Sequence, residues 1–358
     1  MNALQSLLPA SRIPAIDGLR GIAIIFVIGF HGDWPGFAGG GYGVDLFFVI
    51  SGFLITLLLI REKTNSGHIS IKNFFLRRTL RIVPAYIVFL AGYFILCALL
   101  FQDLYPKVLE STIFAATYTT NVAFSWLDRD VLQAHTWSLS MEEQFYLAYP
   151  ILVAFASRRI TVSLTVLLII AAPVWRTLLF ATGVDELNPM RIGYGPDTRY
   201  DSILWGCLTA HLWTSDWKQR LKIRPRTQFL VVLLGVALVL APAIINDRGF
   251  KVTIGYTLVA LGSSLLLLTV LCSSTGRFTR TLSWAPLRII GVLSYSMYLW
   301  HPMMLGLASR VRSRTPDGYD WIPEVFYILS TLVLSAFSYL LVERRFLDLK
   351  DKWNTSSC

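Results

Sequence analysis

Apolar segments long enough to cross a lipid bilayer recur from residue 15 to residue 342, and nothing else in the chain constrains its fold as much. A helix rises about 1.5 Å per residue, so crossing the hydrocarbon core takes roughly 20 mostly apolar residues. Such segments fall near 15–32, 41–60, 83–101, 136–156, 160–181, 199–213, 228–246, 252–272, 289–309 and 323–342; that at 199–213 is short and polar for a span. Backbone N–H and C=O groups in lipid have no water to bond, which leaves the helix as the way to satisfy them within each segment. The expected fold is therefore all-α: a polytopic membrane helix bundle of about ten transmembrane helices. Only 15% of the residues are charged, against roughly 25% in a soluble protein. The stretch 110–126 is also apolar. It is not counted as a span, because counting it would reverse every later loop.

Loop charge sets the orientation, since Lys and Arg collect on the cytoplasmic side. With both termini in the cytoplasm, 22 of the 32 Lys and Arg lie inside, among them Arg12, Arg61, Lys63, Arg158, Arg159, Lys218, Arg220, Lys222 and Arg224. The loop holding Arg310, Arg312 and Arg314 dissents. This asymmetry accounts for the net charge of +10 without nucleic acid as a partner. The four cysteines, Cys97, Cys207, Cys272 and Cys358, form no C-x-x-C pair, so neither a disulfide framework nor a metal site is expected. Residues 1–12 carry no cleavable signal pattern, and the short tail after Val342 leads to the expectation of a single membrane domain over 1–358 with no appended soluble domain. Trp126, Trp137, Trp213, Trp217 and Trp321 fall near the borders of spans, where an interfacial aromatic belt accounts for them.

The first span holds Arg20 and His31. Ionisable groups inside a span are costly and usually functional. Eleven residues make almost three whole helical turns, so both side chains share one face, separated along the axis by about 16 Å. The loop charges put Arg20 toward the cytoplasm and His31 toward the outside. The plainer reading has Arg20 snorkelling and His31 ending the helix. The second span opens Gly41-Tyr-Gly-Val-Asp45, and an outer hairpin would start Asp45 near the depth of His31. A carboxylate beside an imidazole fixes its tautomer and stabilises the imidazolium formed in general-base chemistry. Asp45 at a helix N-terminus is the structural alternative.

The runs Ile16-Asp-Gly-Leu-Arg20-Gly-Ile-Ala and Gly43-Val-Asp-Leu-Phe-Phe-Val-Ile-Ser-Gly-Phe-Leu54 are similar to the acyltransferase 3 family of membrane acyltransferases. So are Arg77-Arg-Thr-Leu-Arg81-Ile-Val-Pro84, Thr136-Trp-Ser-Leu-Ser-Met-Glu-Glu143-Gln-Phe-Tyr-Leu147, Tyr200-Asp-Ser-Ile-Leu-Trp-Gly206 and Ser294-Tyr-Ser-Met-Tyr-Leu-Trp-His301-Pro302, with Arg20-x10-His31. The resemblance covers nearly the whole chain. It implies transfer of an acyl group, commonly acetyl, from cytoplasmic acyl-CoA to a hydroxyl of a cell-surface or exported carbohydrate. It further implies a multi-pass protein of a bacterial inner membrane, with acyl-CoA as co-substrate and no permanently bound cofactor. The oligomeric state is not legible.

Under that resemblance His31, Asp45 and Glu143 are the expected catalytic residues, and Arg20, Arg77, Arg78 and Arg81 the expected donor-binding ones. Arg77 and Arg81 are four apart and would share a helix face; arginine suits phosphate by bidentate contact. Positive-inside charge is the alternative for all three arginines of that stretch. Glu142 and Glu143 cannot both face one site, because helix neighbours differ by about 100°, and Glu143 matches the family's motif. Ser51, Trp137, Ser138, Tyr200, Asp201 and His301 are expected to bind the acceptor or support the site; His301 and Tyr298 are three apart on one face. His135, His68 and His211 read as solvent- or interface-facing. The expected mechanism has His31, oriented by Asp45, deprotonating the acceptor hydroxyl, or else carrying the acyl group itself. A transporter or flippase, whose substrate path also needs buried ionisable groups, is the competing class, but no paired repeat is visible.

Overall fold

The structure is a computed structural model and describes residues 13–100, 102–215, 225–273 and 276–355. Arg12, Trp217, Lys218, Arg220, Lys222, Arg224 and Cys358 lie outside the described residues. The fold is an all-α bundle, and no strand occurs among the described residues. Its main helices are α1 (Pro14–His31), α2 (Gly43–Ser66), α3 (Ile71–Leu100), α4 (Tyr105–Ala116), α5 (Thr120–Ser125), α6 (Trp137–Phe155) and α7 (Arg158–Ala181). They continue with α8 (Tyr200–Trp213), α9 (Pro225–Ile245), α10 (Tyr256–Cys272), α11 (Ala285–Arg312), α12 (Trp321–Ser338) and α13 (Arg344–Thr355).

Local sequence sets the ends of these helices. Pro14 occupies the first turn of α1, where its missing N–H costs nothing. Gly67 takes φ 76° to end α2. The Ser157 side chain caps α7 by accepting from Ile160 N–H. The apolar stretch 110–126 becomes α4 and α5. At 12 residues α4 is only about 18 Å long, against a hydrocarbon core of about 30 Å.

Seven helices are long and apolar enough to cross a membrane among the described residues: Pro14–His31, Gly40–Ser66, Ile71–Leu100, Arg158–Ala181, Arg226–Ile245, Arg248–Cys272 and Trp321–Leu349. The sequence led us to expect about ten. The three others at expected positions are α6, with Glu142 and Glu143; α8, only 14 residues long; and α11, which holds His301 among serines and arginines. Many of their polar side chains are buried inside the bundle, among them Ser138, Ser140, Asp201, Ser202, Ser294 and His301. Lipid-type surface lies elsewhere: α7 and α9 expose Leu167, Ile170, Phe229 and Leu230 by 60% or more. An apolar band of that kind suits acyl chains and would be a liability in water.

Side-chain contacts give the helix directions. Along α1 and α11, Asp17 meets Gly291, Arg20 bonds Ser294 and His31 packs on His301, so the two run parallel. Along α2 and α8, Asp45 meets Arg199 and Ser202, and Gly52 meets Ile203 and Cys207, again parallel. Along α2 and α6, Phe48 meets Trp137, Ser51 meets Tyr146, and Lys63 Nζ donates to the carbonyls of Val153 (2.7 Å) and Ala156 (3.2 Å). The close approaches rest on small residues, as in membrane bundles generally: a Cβ on Gly52 or Gly206 would lie 2.0 Å from a carbonyl oxygen of the facing helix.

Candidate active site

A cavity of about 100 Å³ opens among α1, α2, α3, α6, α11 and the turn joining α12 to α13. Three arginines line it, Arg20, Arg78 and Arg81, together with Ser51, Ser138, Glu142, Ser294, Tyr298 and Glu343. Arg20 reaches it from α1, its Nε and Nη2 donating to Ser294 Oγ at 3.2 and 3.0 Å. The Arg78 guanidinium sits 3.7 Å from the Tyr146 ring centre, and Tyr146 bonds Ser51 Oγ through its hydroxyl. Arg78 and Arg81 are three residues apart, so they share the inward face of α3.

That face excludes Arg77. Its Nη2 donates to Glu62 Oε2 at 2.7 Å, across the α2–α3 turn. The expected pairing of Arg77 with Arg81 is thus corrected to Arg78 with Arg81. The two glutamates divide as helix geometry requires, but Glu142 lines the cavity and Glu143 does not. Glu343 arrives by a different route. One turn of π-helix, Tyr339–Glu343, interrupts the run from α12 into α13, and Glu343 accepts there from Ser296 Oγ. Such turns re-aim side chains and are frequent at functional sites.

At the other end of α1, His31 stands half-buried. Its Nδ1 lies 2.8 Å from Val27 O. A carbonyl only accepts, so Nδ1 carries the hydrogen and Nε2 the lone pair. Asp45 does not bond it. Asp45 Oδ1 accepts from Arg199 Nη2 at 2.7 Å and from Ser202 Oγ at 2.6 Å. The reason is packing: α8 runs tight and parallel to α2 and delivers Arg199 and Ser202 to the face that carries Asp45.

The neighbour of His31 is His301, with ring centres 4.9 Å apart. His135 stands behind His301 at 5.7 Å. It is buried, not interfacial, and burial pushes it down to about 3, so it is neutral. Among the described residues no group of His, Cys, Asp and Glu is placed to hold a metal ion. Tyr298 joins the histidines to the arginine cavity. Its hydroxyl donates to His135 O at 2.8 Å and lies 2.7 Å from Ser138 Oγ, while its ring lines the cavity.

Other expected site residues lie elsewhere. Trp137 is buried against Phe48, Tyr194 and Arg199. Asp201 is sealed in an ion pair with the wholly buried Arg176, at 2.9 and 3.0 Å, and accepts from Thr257. Tyr200, beside it, is half-buried. His211 is buried and bonds the Tyr149 hydroxyl at 3.2 Å, which corrects its reading as interface-facing, whereas His68 is exposed in its turn. Reading the sequence missed Glu142, Glu343, Arg199 and His135. The spacing Ser294, Tyr298, His301 (i, i+4, i+7 on one helix face) is the signal that marks the α11 wall.

These features define a polytopic helical membrane protein with ionisable side chains strung along its core. The chain belongs to the acyltransferase 3 family: the family profile, described as an acyltransferase domain, matches residues 13–343. It is 29% identical over 350 residues to a peptidoglycan O-acetyltransferase, OatA, of Listeria monocytogenes serovar 1/2a, covering 92% of this chain and 55% of that protein. It is 30% identical to an O-acetyltransferase OatA of Staphylococcus aureus, covering 95% of this chain and 58% of that protein. The chain thus spans a little over half the length of these relatives. No solved structure matches it.

Proposed function

We propose that this protein is a membrane O-acyltransferase that moves an acetyl group from acyl-CoA on the cytoplasmic side to a carbohydrate hydroxyl on the outer side. The observation that carries the reading is the layout of α1: a cavity with three arginines at its Arg20 end, a histidine with a free Nε2 lone pair at its His31 end, and Tyr298 between them. Family membership and the names of the relatives support O-acetylation. The Listeria relative is named for peptidoglycan, and the acceptor class proposed here is a glycan of the cell envelope. The protein would then lie in the bacterial cytoplasmic membrane.

In this mechanism Arg20, Arg78 and Arg81 hold the phosphates of the donor by charge-assisted hydrogen bonds. The donor's pantetheine arm spans the roughly 16 Å between Arg20 and His31. His31 Nε2 takes the hydroxyl proton as the acceptor oxygen attacks the thioester carbonyl. The C–S bond breaks, and the proton finishes on the departing sulfur.

The test uses inverted membrane vesicles from cells expressing the protein, which carry their own acceptor, supplied with labelled acetyl-CoA. Wild type should place base-labile label on glycan, and His31→Ala, inserted to the same level, should lose it by at least about 10²-fold. Undiminished transfer in that variant would overturn the role of His31. Movement of unmodified substrate without labelling would favour a transporter.

A further inference from the structure

His301 is completely buried, and its Nε2 has no hydrogen-bond partner among the described residues. An unpaired buried polar atom carries an uncompensated desolvation penalty, so one at the centre of a site calls for a reason. The other ring nitrogen explains nothing further: Nδ1 lies 2.9 Å from Tyr298 O and 3.1 Å from Met297 O, and therefore donates. His31 is built the same way, with Nδ1 donating to the carbonyl four residues earlier. Two imidazoles thus stand 4.9 Å apart, centre to centre, each with a lone pair on Nε2. At that ring separation a small side-chain rotation brings two ring nitrogens within hydrogen-bonding reach, so the pair can share a proton once one is supplied. Deprotonating a hydroxyl supplies it. Among the described residues no carboxylate is hydrogen-bonded to His31; Asp45 Oδ1 accepts from Arg199 and Ser202 instead.

We propose that His301 is the positioning residue of His31: its Nε2 accepts from the protonated His31 and holds the proton in the site until the leaving sulfur takes it. This rests on the acyl-transfer reading above. The balance is closed. The acceptor O–H bond breaks and a His31 N–H bond forms; the acceptor oxygen bonds the acyl carbon; the C–S bond breaks with its electron pair on sulfur; the shared proton then moves to that sulfur, leaving both imidazoles neutral. His135 closes the far side of His301 at 5.7 Å and helps to bury the pair.

The experiment compares His301→Gln with His301→Phe in the labelled acetyl-CoA vesicle assay, with rates taken per folded protein. Gln keeps an oxygen that can accept from His31, and Phe keeps the ring shape without an acceptor. The expected result is turnover within about tenfold of wild type for Gln and about 10²-fold lower for Phe, with the donor KM little changed in both. A merely structural His301 gives the opposite ranking, and that result overturns the proposal. Should neither variant fold, His301→Ala serves: free imidazole should restore its turnover and toluene, similar in shape without nitrogen, should not. Failure of imidazole to restore it also overturns the proposal. His31→Ala separates the two readings. If that variant still transfers label, the acyl-transfer role of His31 has failed; if it is inactive while Phe matches or exceeds Gln at 301, only the pairing has failed.

Discussion

Asp45 and Arg199 have side chains 1% and 3% exposed and bond each other at 2.7 Å, and the Arg199 guanidinium also lies 3.5 Å from the Tyr256 ring centre. A buried charge stripped of its partner is destabilising by about 3–5 kcal/mol, whereas replacing both charges with apolar groups is often neutral. Asp45→Ala should therefore lower thermal stability in detergent strongly. The double variant Asp45→Leu with Arg199→Met should recover most of the loss. Full stability in Asp45→Ala together with lost transfer would instead point to a direct role in chemistry. The same residue shows why only part of the site was legible. Arg20 and His31 could be paired by counting turns, because both lie on one helix. Asp45 has several spatial neighbours, and choosing among them requires knowing that α8 packs along α2. Likewise Arg77, Arg78 and Arg81 read as one basic stretch, and only the tertiary position of α3 sends Arg77 to Glu62 while its neighbours turn inward.

At the scale of elements, α1 and α11 are the pair that holds the histidines, and Gly291 sets how closely they approach. A Cβ at Gly291 would lie 1.7 Å from the backbone oxygen of Asp17, a contact that only movement of a whole helix can relieve. Gly291→Ala should cost about 1–3 kcal/mol, the usual range for overpacking, and shift His301 away from His31. Transfer should fall along with the melting temperature. Gly306 lies on the same helix with nothing within 4 Å of its Cβ position, so Gly306→Ala should change neither measurably. Equal behaviour of the two variants would mean that the α1–α11 approach does not matter. Helices of this kind are legible in sequence because an apolar run in lipid has essentially one backbone solution. The π-helical turn at Tyr339–Glu343 is not. It inserts an irregularity into a run that still looks helical, and Glu343, at its end, lines the arginine cavity.

At the scale of the whole molecule, hydropathy and packing disagree about the number of crossings, and the disagreement can be tested. Among the described residues, length and apolarity select seven helices and leave out α6, α8 and α11. Yet α11 runs parallel to α1 from Gly291 to His301, α8 runs parallel to α2 from Arg199 to Cys207, and α6 packs along α2 from Trp137 to Ala156. A helix packed along the length of a crossing helix shares its depth, so we infer that all three cross as well, their polar faces hidden in the bundle. Hydropathy would leave such helices out, because it averages over all faces although only the lipid-facing one must be apolar. The two counts place the α11–α12 loop on opposite sides. With a cytoplasmic N-terminus, ten crossings put Asp317 outside, and seven put it inside; Asn65, after α2, is inside under both. Both positions are exposed. In a chain whose four native cysteines are replaced by Ala, a membrane-impermeant maleimide added to intact cells should label Asp317→Cys and reach Asn65→Cys only after permeabilisation. Outer labelling at 317 would also place the dissenting arginines, Arg310, Arg312 and Arg314, on the same side as the His31 end of α1. Protection of Asp317→Cys in intact cells, with labelling once the membrane is opened, would overturn the ten-crossing count and with it the outward placement of His31's partner on α11.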